Sequence, residues 1–333
     1  MRTTRVSGDS CKGLAISTIL AIAISSVAPC VEPGKPSKTS LLVAMWRAIG
    51  ARNPDAEMQN PDYLALRFLG AQERALMSET TTLPCLDKQF EEAMSCLQAA
   101  GVTASFFNIL SRTKHIDATL RQAVEGGTTQ IVILGAGFDS RAYRFGELLR
   151  SVKVYEVDFP PTQEYKKRRV QEVLGRLPTN VIYVPIDFAK QDLREVLRKA
   201  GFRGDHKAFV VWEGVTFYLP PEAVEATLRF VGGSVSGTSI IFDYVIERAI
   251  RGDHGDEALK RTMSTNAKWG EPWVFGIREG KVAEFAARYG LTVVSDVGAD
   301  ELTRRYLTKS DGTVIGRPGW YLRICHAEVS KHR

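Results

Sequence analysis

The stretch Gln130-Ile131-Val132-Ile133-Leu134-Gly135-Ala136-Gly137-Phe138-Asp139-Ser140-Arg141 constrains this chain more than any other. Four successive apolar residues run into a Gly-Ala-Gly turn, and helix-compatible polar residues follow. That is the pattern of a strand buried on both faces passing through a tight turn into a helix. Glycine at such a turn reaches backbone angles closed to other residues and, lacking a Cβ, lets a ligand come against the main chain. The dinucleotide fingerprint places a third glycine where this chain has Ser140, so the turn by itself points to a nucleoside without favouring a nicotinamide.

The same grammar recurs downstream. Val152 to Val157, Val181 to Ile186, Ala208 to Trp212 and Ser239 to Tyr244 read as four further strands, rich in β-branched and aromatic residues. Between them Glu164 to Leu174, Leu193 to Ala200 and Pro221 to Val231 carry helical spacing. Strand, crossover helix and strand, repeated, predict a mostly parallel α/β sheet with ligands at the strands' carboxyl ends. A helix over Lys281 to Tyr289 and strands over Leu291 to Val294 and Trp320 to Cys325 complete a seven-stranded sheet. Helical spacing from Leu41 to Val124 predicts an N-terminal helical region covering one end of it. Residues 245–280 break the alternation with charge, then Trp269, Trp273 and Phe275, and predict a cap insertion that closes over a substrate.

The ends of the chain are different in kind. Arg2, Arg5 and Lys12 precede the apolar run Leu14 to Ala28, so residues 1–30 read as a signal peptide or membrane anchor, with membrane association through residues 14–28. If that segment is real the protein is exported or membrane-attached; otherwise it is cytoplasmic. Residues 31–40 read as a Pro-, Lys- and Ser-rich linker, and 41–333 as a single domain. A formal charge of +6 over 333 residues, mixed in sign along the chain, argues against a nucleic-acid partner. The basic run Lys166-Lys167-Arg168-Arg169 predicts a solvated helix face. Cys11, Cys30, Cys85, Cys96 and Cys325 are odd in number and lack a C-x-x-C pair, which predicts buried small hydrophobes rather than a zinc site or a disulfide framework.

Each central strand ends in a polar group suited to part of a nucleoside. Glu156 and Asp158 finish the second strand about twenty residues beyond the glycine turn, where an acid accepts from ribose hydroxyls. Asp187 and Phe188 end the third, offering a carboxylate to an adenine amino group and a ring to its face; Glu213 ends the fourth. Carboxylates at successive strand ends repel a polyphosphate and suit a cationic ligand, which favours S-adenosylmethionine over NAD or ATP. Asp139 reads equally as a helix cap, and Arg141 and Arg144 as surface residues.

Three ordered motifs then resemble those of the leucine carboxyl methyltransferase family, and more closely its bacterial branch of S-adenosyl-L-methionine-dependent O-methyltransferases. They are Ile133 to Arg141, Tyr155-Glu156-Val157-Asp158-Phe159-Pro160, and Trp212-Glu213-Gly214-Val215-Thr216-Phe217-Tyr218-Leu219. Pro36 to Ser40, Ser111 to Asp117 and Arg305 to Gly312 resemble that branch too, so the likeness spans about residues 36 to 327. The resemblance implies a class I methyltransferase, Rossmann-like fold. It implies that Arg112 pairs with the cofactor's carboxylate, that Gly135, Ala136 and Gly137 line its methionine part, that Asp158 or Glu156 holds the ribose, that Asp187 and Phe188 hold the adenine, and that Glu213 faces its amino group.

The expected reaction is in-line methyl transfer from S-adenosyl-L-methionine to a carboxylate or hydroxyl oxygen of a small molecule. A carboxylate acceptor needs no base; for a hydroxyl, Tyr218, Tyr244 or His254 are the candidates, and Trp269, Trp273 and Phe275 wall the acceptor. His254 lies among Asp253, Asp256 and Glu257 without metal-ligand spacing, so no metal is expected. Two other classes stay open at this point: an NAD(P)-dependent oxidoreductase on the same fold, and a non-catalytic envelope binding module suggested by the leader alone.

Overall fold

The computed structural model describes residues 35–188 and 190–330, so the expected leader over residues 1–30 lies outside the described residues. The elements follow in chain order. Helices α1 (Lys38–Gly50), α2 (Ala65–Phe68), α3 (Ala71–Leu76), α4 (Phe90–Ala99) and α5 (Thr103–Glu125) precede strand β1 (Gln130–Leu134). Then come α6 (Arg141–Arg144), β2 (Lys153–Asp158), α7 (Pro160–Leu174), β3 (Val181–Pro185), α8 (Leu193–Lys199), β4 (Ala208–Trp212), α9 (Pro221–Gly232) and β5 (Ser239–Val245). Helices α10 (Glu247–Ile250), α11 (Glu257–Lys268) and α12 (Val282–Ala287), strand β6 (Leu291–Val297), helix α13 (Ala299–Tyr306) and strand β7 (Leu322–Val329) complete the chain.

The seven strands form one sheet in the order β3-β2-β1-β4-β5-β7-β6. The first five are parallel, and β7 runs antiparallel between β5 and β6. Every residue of β1, β4 and β5 is buried, whereas the edge strands β3 and β6 mix buried with exposed positions. That is why the central strands read as unbroken apolar runs: helices cover both faces of the sheet. Alternation across the pleat assigns the faces, with Ile131 and Ile133 packing beneath α1 and α5, and Val132 and Leu134 on the side of α8, α9 and α12.

Sequence and structure part company in a few places. The supposed linker ends early, because Ser37 caps α1 by accepting from the Ser40 amide, so that helix starts at Lys38. Helices α11 and α13 are unexpected: they are polar around most of their circumference and bury only Leu259 and Asn266, and Leu302 and Thr303, respectively, so few apolar residues mark them in the sequence. Cys85 and Cys96 are joined in a disulfide with Cα atoms 5.6 Å apart, which corrects the expectation of unpaired cysteines. A single turn of 3₁₀ helix, Leu83–Cys85, folds back on α4 and brings the pair together across 11 residues, a geometry no short cysteine motif records. Cys325 is free and buried, as expected.

Candidate active site

The turn after β1 has the shape its glycines require. Gly135 has φ +63°, and a Cβ there would stand 2.4 Å from Val215 Cγ2, so both conformation and space exclude a side chain. The turn is tied to the tip of β2: the Ala136 amide donates to the Val157 carbonyl at 3.1 Å, and the Gly137 amide donates to Asp158 Oδ2 at 2.5 Å. A Cβ on Gly137 would meet Ser40 Cβ at 3.2 Å, which shows how closely the start of α1 lies over the turn. Burial pushes the Asp158 carboxyl up to about 6, against the pull of the Gly137 and Phe159 amides.

A buried ionic network lies beside the turn. Arg112, on α5, donates Nε to Glu213 Oε1 at 2.8 Å and Nη1 to Asp243 Oδ2 at 2.5 Å. Arg141 donates Nη1 to Glu213 Oε2 at 2.5 Å and Nε to Asp117 Oδ1 at 2.7 Å, and it also pairs with Asp139. Burial alone would raise the Glu213 carboxyl, but the guanidiniums of Arg141 and Arg112 outweigh it and hold the group well below the usual carboxylate range. Arg141 is fully buried and the Arg144 side chain is 2% exposed, which corrects their reading as surface residues. Asp139 does what a local cap would do, accepting from the Arg141 amide at 2.7 Å, and joins the network as well.

The turn and the inner members of this network, Arg112, Asp139 and Glu213, share the wall of one cavity of about 250 Å³. Arg112, Gly135, Ala136, Gly137, Asp158, Phe188 and Glu213 all line it; Glu156 and Asp187 do not. Glu156 sits one pleat short of the strand tip, where Lys166 of α7 donates to it at 2.8 Å and the Tyr143 hydroxyl at 2.9 Å. Lys166 is therefore buried, a correction to the solvated face expected of the basic run. Asp187 pairs instead with Lys190 at 2.9 Å.

The rest of the wall mixes aliphatic, polar and aromatic side chains, drawn from α1, α5, the segment after β4 and the chain beyond β5. Trp46 of α1 lines it with Phe217, Tyr218, Trp273 and Tyr321, and Trp273 packs edge-on against Phe217 and tilted against Tyr321, with ring centroids 5.0 and 5.8 Å away. Of the three aromatics expected to wall an acceptor, only Trp273 does so; Trp269 and Phe275 pack into the core clusters. Tyr218 lines the cavity, and burial, reinforced by the nearby Glu271 carboxylate, pushes its hydroxyl far up, so it stays protonated near neutral pH. Tyr244 lies elsewhere, donating to Asp296 at 3.1 Å, because its neighbour Asp243 takes the pleat that faces Arg112. His254 packs on Trp320 and is not part of the wall.

Sequence reasoning missed Trp46, Arg47, Asn108, Asp243 and Glu271. Glu271 is buried and closes the insertion over the start of α1, accepting from Ser37 Oγ at 3.0 Å, from the Lys38 amide at 3.1 Å and from Thr39 Oγ1. A Ser-Lys-Thr-Ser run is a legible helix start, but nothing local names a partner 234 residues away.

The model of the leucine carboxyl methyltransferase family matches residues 40–232. A Streptomyces coelicolor protein named "Putative S-adenosyl-L-methionine-dependent methyltransferase SCO7813" is 31% identical over 227 residues, covering 67% of this chain and 75% of its own. A Bacillus subtilis protein with the same description, YktD, is 28% identical over 194 residues; the match covers 58% of this chain and 64% of that protein, somewhat less than two thirds of its length. Among solved structures, a methyltransferase-like protein of Thermobifida fusca superposes over 90% of this chain and 96% of its own with a TM-score of 0.55 at 14% identity, a likeness of fold.

Proposed function

The chain belongs to the leucine carboxyl methyltransferase family, and from that premise we propose that it transfers a methyl group from S-adenosyl-L-methionine to an oxygen of a small, largely apolar molecule. One observation carries the reading: the side-chain-free glycine turn, the tip carboxylate Asp158 and an aromatic wall built around Trp273 share a single cavity. Gly135, Ala136 and Gly137 line the cavity with main chain and one methyl group only, a cradle that fits the cofactor's methionine part. Gly135, Ala136 and Gly137 would line that part, Asp158 would accept from the ribose, Phe188 would cover the adenine, and Glu213 would face the ammonium. Asp187 and Glu156, off the wall, would act at most through neighbours.

When bound, the cofactor supplies a methyl already activated on a sulfonium, which leaves the protein the work of orienting the acceptor and excluding water. Tyr218 does the first as a donor: its hydroxyl, kept protonated by burial, can hold an acceptor oxygen but cannot serve as a base near neutral pH. Glu271 and the Ser37–Thr39 start of α1 do the second, joining the insertion to the helical preface across the cavity wall. A carboxylate acceptor would be nucleophilic as it stands; a hydroxyl would give its proton to Glu271, the carboxylate beside Tyr218.

The test is transfer of a radiolabelled methyl from S-adenosyl-L-methionine to panels of apolar carboxylic acids and of phenols. A product that releases labelled methanol in mild base is an ester, and one that resists is an ether; no transfer to either panel, with no binding of S-adenosylhomocysteine by calorimetry, overturns the reading. Thermal stabilisation by NADPH and not by S-adenosylhomocysteine would replace it with an oxidoreductase.

A further inference from the structure

Two guanidiniums reach the cavity wall, and they differ in how they are occupied. Arg112 has given Nε to Glu213 and Nη1 to Asp243. Arg47, on α1, donates Nη1 to Asp62 at 3.2 Å and keeps a buried Nε with no partner in the structure. Its side chain is 5% exposed, so water does not routinely serve that donor. A buried, unsatisfied N–H of a permanent cation is costly unless something anionic fills the place opposite it.

The position of Arg47 says which anion. Asp62, which holds its Nη1, uses the other carboxylate oxygen to accept from Ser140 Oγ at 2.6 Å, so the guanidinium is pinned to the segment just after the glycine turn. Its charge also favours ionisation of Asp139 and Glu213, as it must if it stands near both. Under the methyltransferase reading, that region receives the methionine part of the cofactor, whose carboxylate needs a donor and whose ammonium needs Glu213. We propose that Arg47 is a binding residue for the methionine carboxylate, supplying through Nε a charged hydrogen bond that Nε and Nη1 of Arg112, given to Glu213 and Asp243, do not. The role rests on the methyltransferase reading and adds a residue to it.

Calorimetry on the full-length protein, with S-adenosylhomocysteine and with its decarboxylated amine as probes, tests this with no need for an acceptor. The wild type should bind S-adenosylhomocysteine about tenfold or more tightly than the amine, and Arg47→Gln should weaken the former about tenfold to a hundredfold while leaving the latter within about twofold. Arg47→Lys, which keeps a cation opposite Asp62, should fold and show an intermediate ratio, and it carries the test should Arg47→Gln unfold. Equal weakening of both probes makes Arg47 merely structural and overturns the proposal, as does unchanged S-adenosylhomocysteine affinity, or a wild type that does not discriminate between the two. A wild type that binds neither probe overturns the methyltransferase reading, and this inference with it.

Discussion

Arg141 Nη1 and Glu213 Oε2 meet at 2.5 Å inside the protein, with Arg112 Nε on the other oxygen of the same carboxylate. Glu213 is thus not a bare anion at a strand tip but one neutralised from two sides. The tip carboxylates therefore differ in kind: Glu213 is held ionised by guanidiniums, whereas burial outweighs the Gly137 and Phe159 amides and the Lys166 charge at Asp158 and pushes it up to about 6.

Removing Arg141 should be among the most destabilising changes in the chain. Arg141→Leu leaves Asp117, Asp139 and Glu213 sharing fewer cations in a buried place, at a cost of about 3–5 kcal/mol. Urea unfolding followed by circular dichroism measures it; a loss under about 1 kcal/mol would mean that solvent reaches this network.

Asp158 should make cofactor binding depend on pH. Its folded carboxyl titrates at about 6, above the ordinary value, so it is a competent acceptor above that pH and is protonated below it. Affinity for S-adenosylhomocysteine should therefore fall as pH drops from 7 to 5, approaching about tenfold per unit below the titration point, and Asp158→Asn should bind weakly with a flat profile. A wild-type profile as flat as that of the variant would remove Asp158 from the ribose site.

Gly135→Ala should damage the turn twice, through its positive φ and through the contact with Val215 Cγ2. About 1–3 kcal/mol of stability and most cofactor binding should be lost. Val215→Ala in the same chain removes the contact but not the strain, so the double variant should recover part of the loss; full recovery would show that the backbone angle is free.

His115 should tie stability to pH from the far side of α5. Burial, helped by Arg305 and His326, lowers its ring to about 4, and it packs on α13 with Nδ1 3.0 Å from the Tyr306 hydroxyl. A histidine depressed in the fold stays neutral there but takes a proton when unfolded, so stability declines as pH falls from about 6.5 toward 4. Between pH 7 and 5 the loss should be roughly 2 kcal/mol. Asp158 acts in the opposite sense, its raised carboxyl favouring the fold as pH falls, so the quantity to read is the difference between wild type and His115→Gln. Parallel melting curves for the two proteins at both pH values would sink this assignment.

Much of the frame was legible because its signals are local. An apolar run ending in Gly135-Ala136-Gly137 specifies a buried strand and a ligand-accepting turn within eight residues, and the strand-and-helix alternation after it specifies a parallel sheet and which strand ends point the same way. From those rules Gly135, Gly137, Asp158, Phe188 and Glu213 could all be placed on one wall before any coordinates. Glu156 fails by one pleat, the distance that separates a strand's tip from its buried interior.

What tertiary structure alone decided is who neutralises whom. Arg112 reaches Glu213 across 101 residues, Glu271 reaches Ser37 across 234, and the Cys85–Cys96 bridge depends on a helical turn folding back on its neighbour. Hydrophobic periodicity follows from the geometry of a single strand or helix, so the amino-acid order carries it whole. The pairing of buried charges depends on which elements pack together, and no spacing along the chain records that. The sheet and the glycine turn were therefore written in the sequence, while the committed Arg112 and the open Nε of Arg47 became visible only once α1 and α5 were laid against the strand tips.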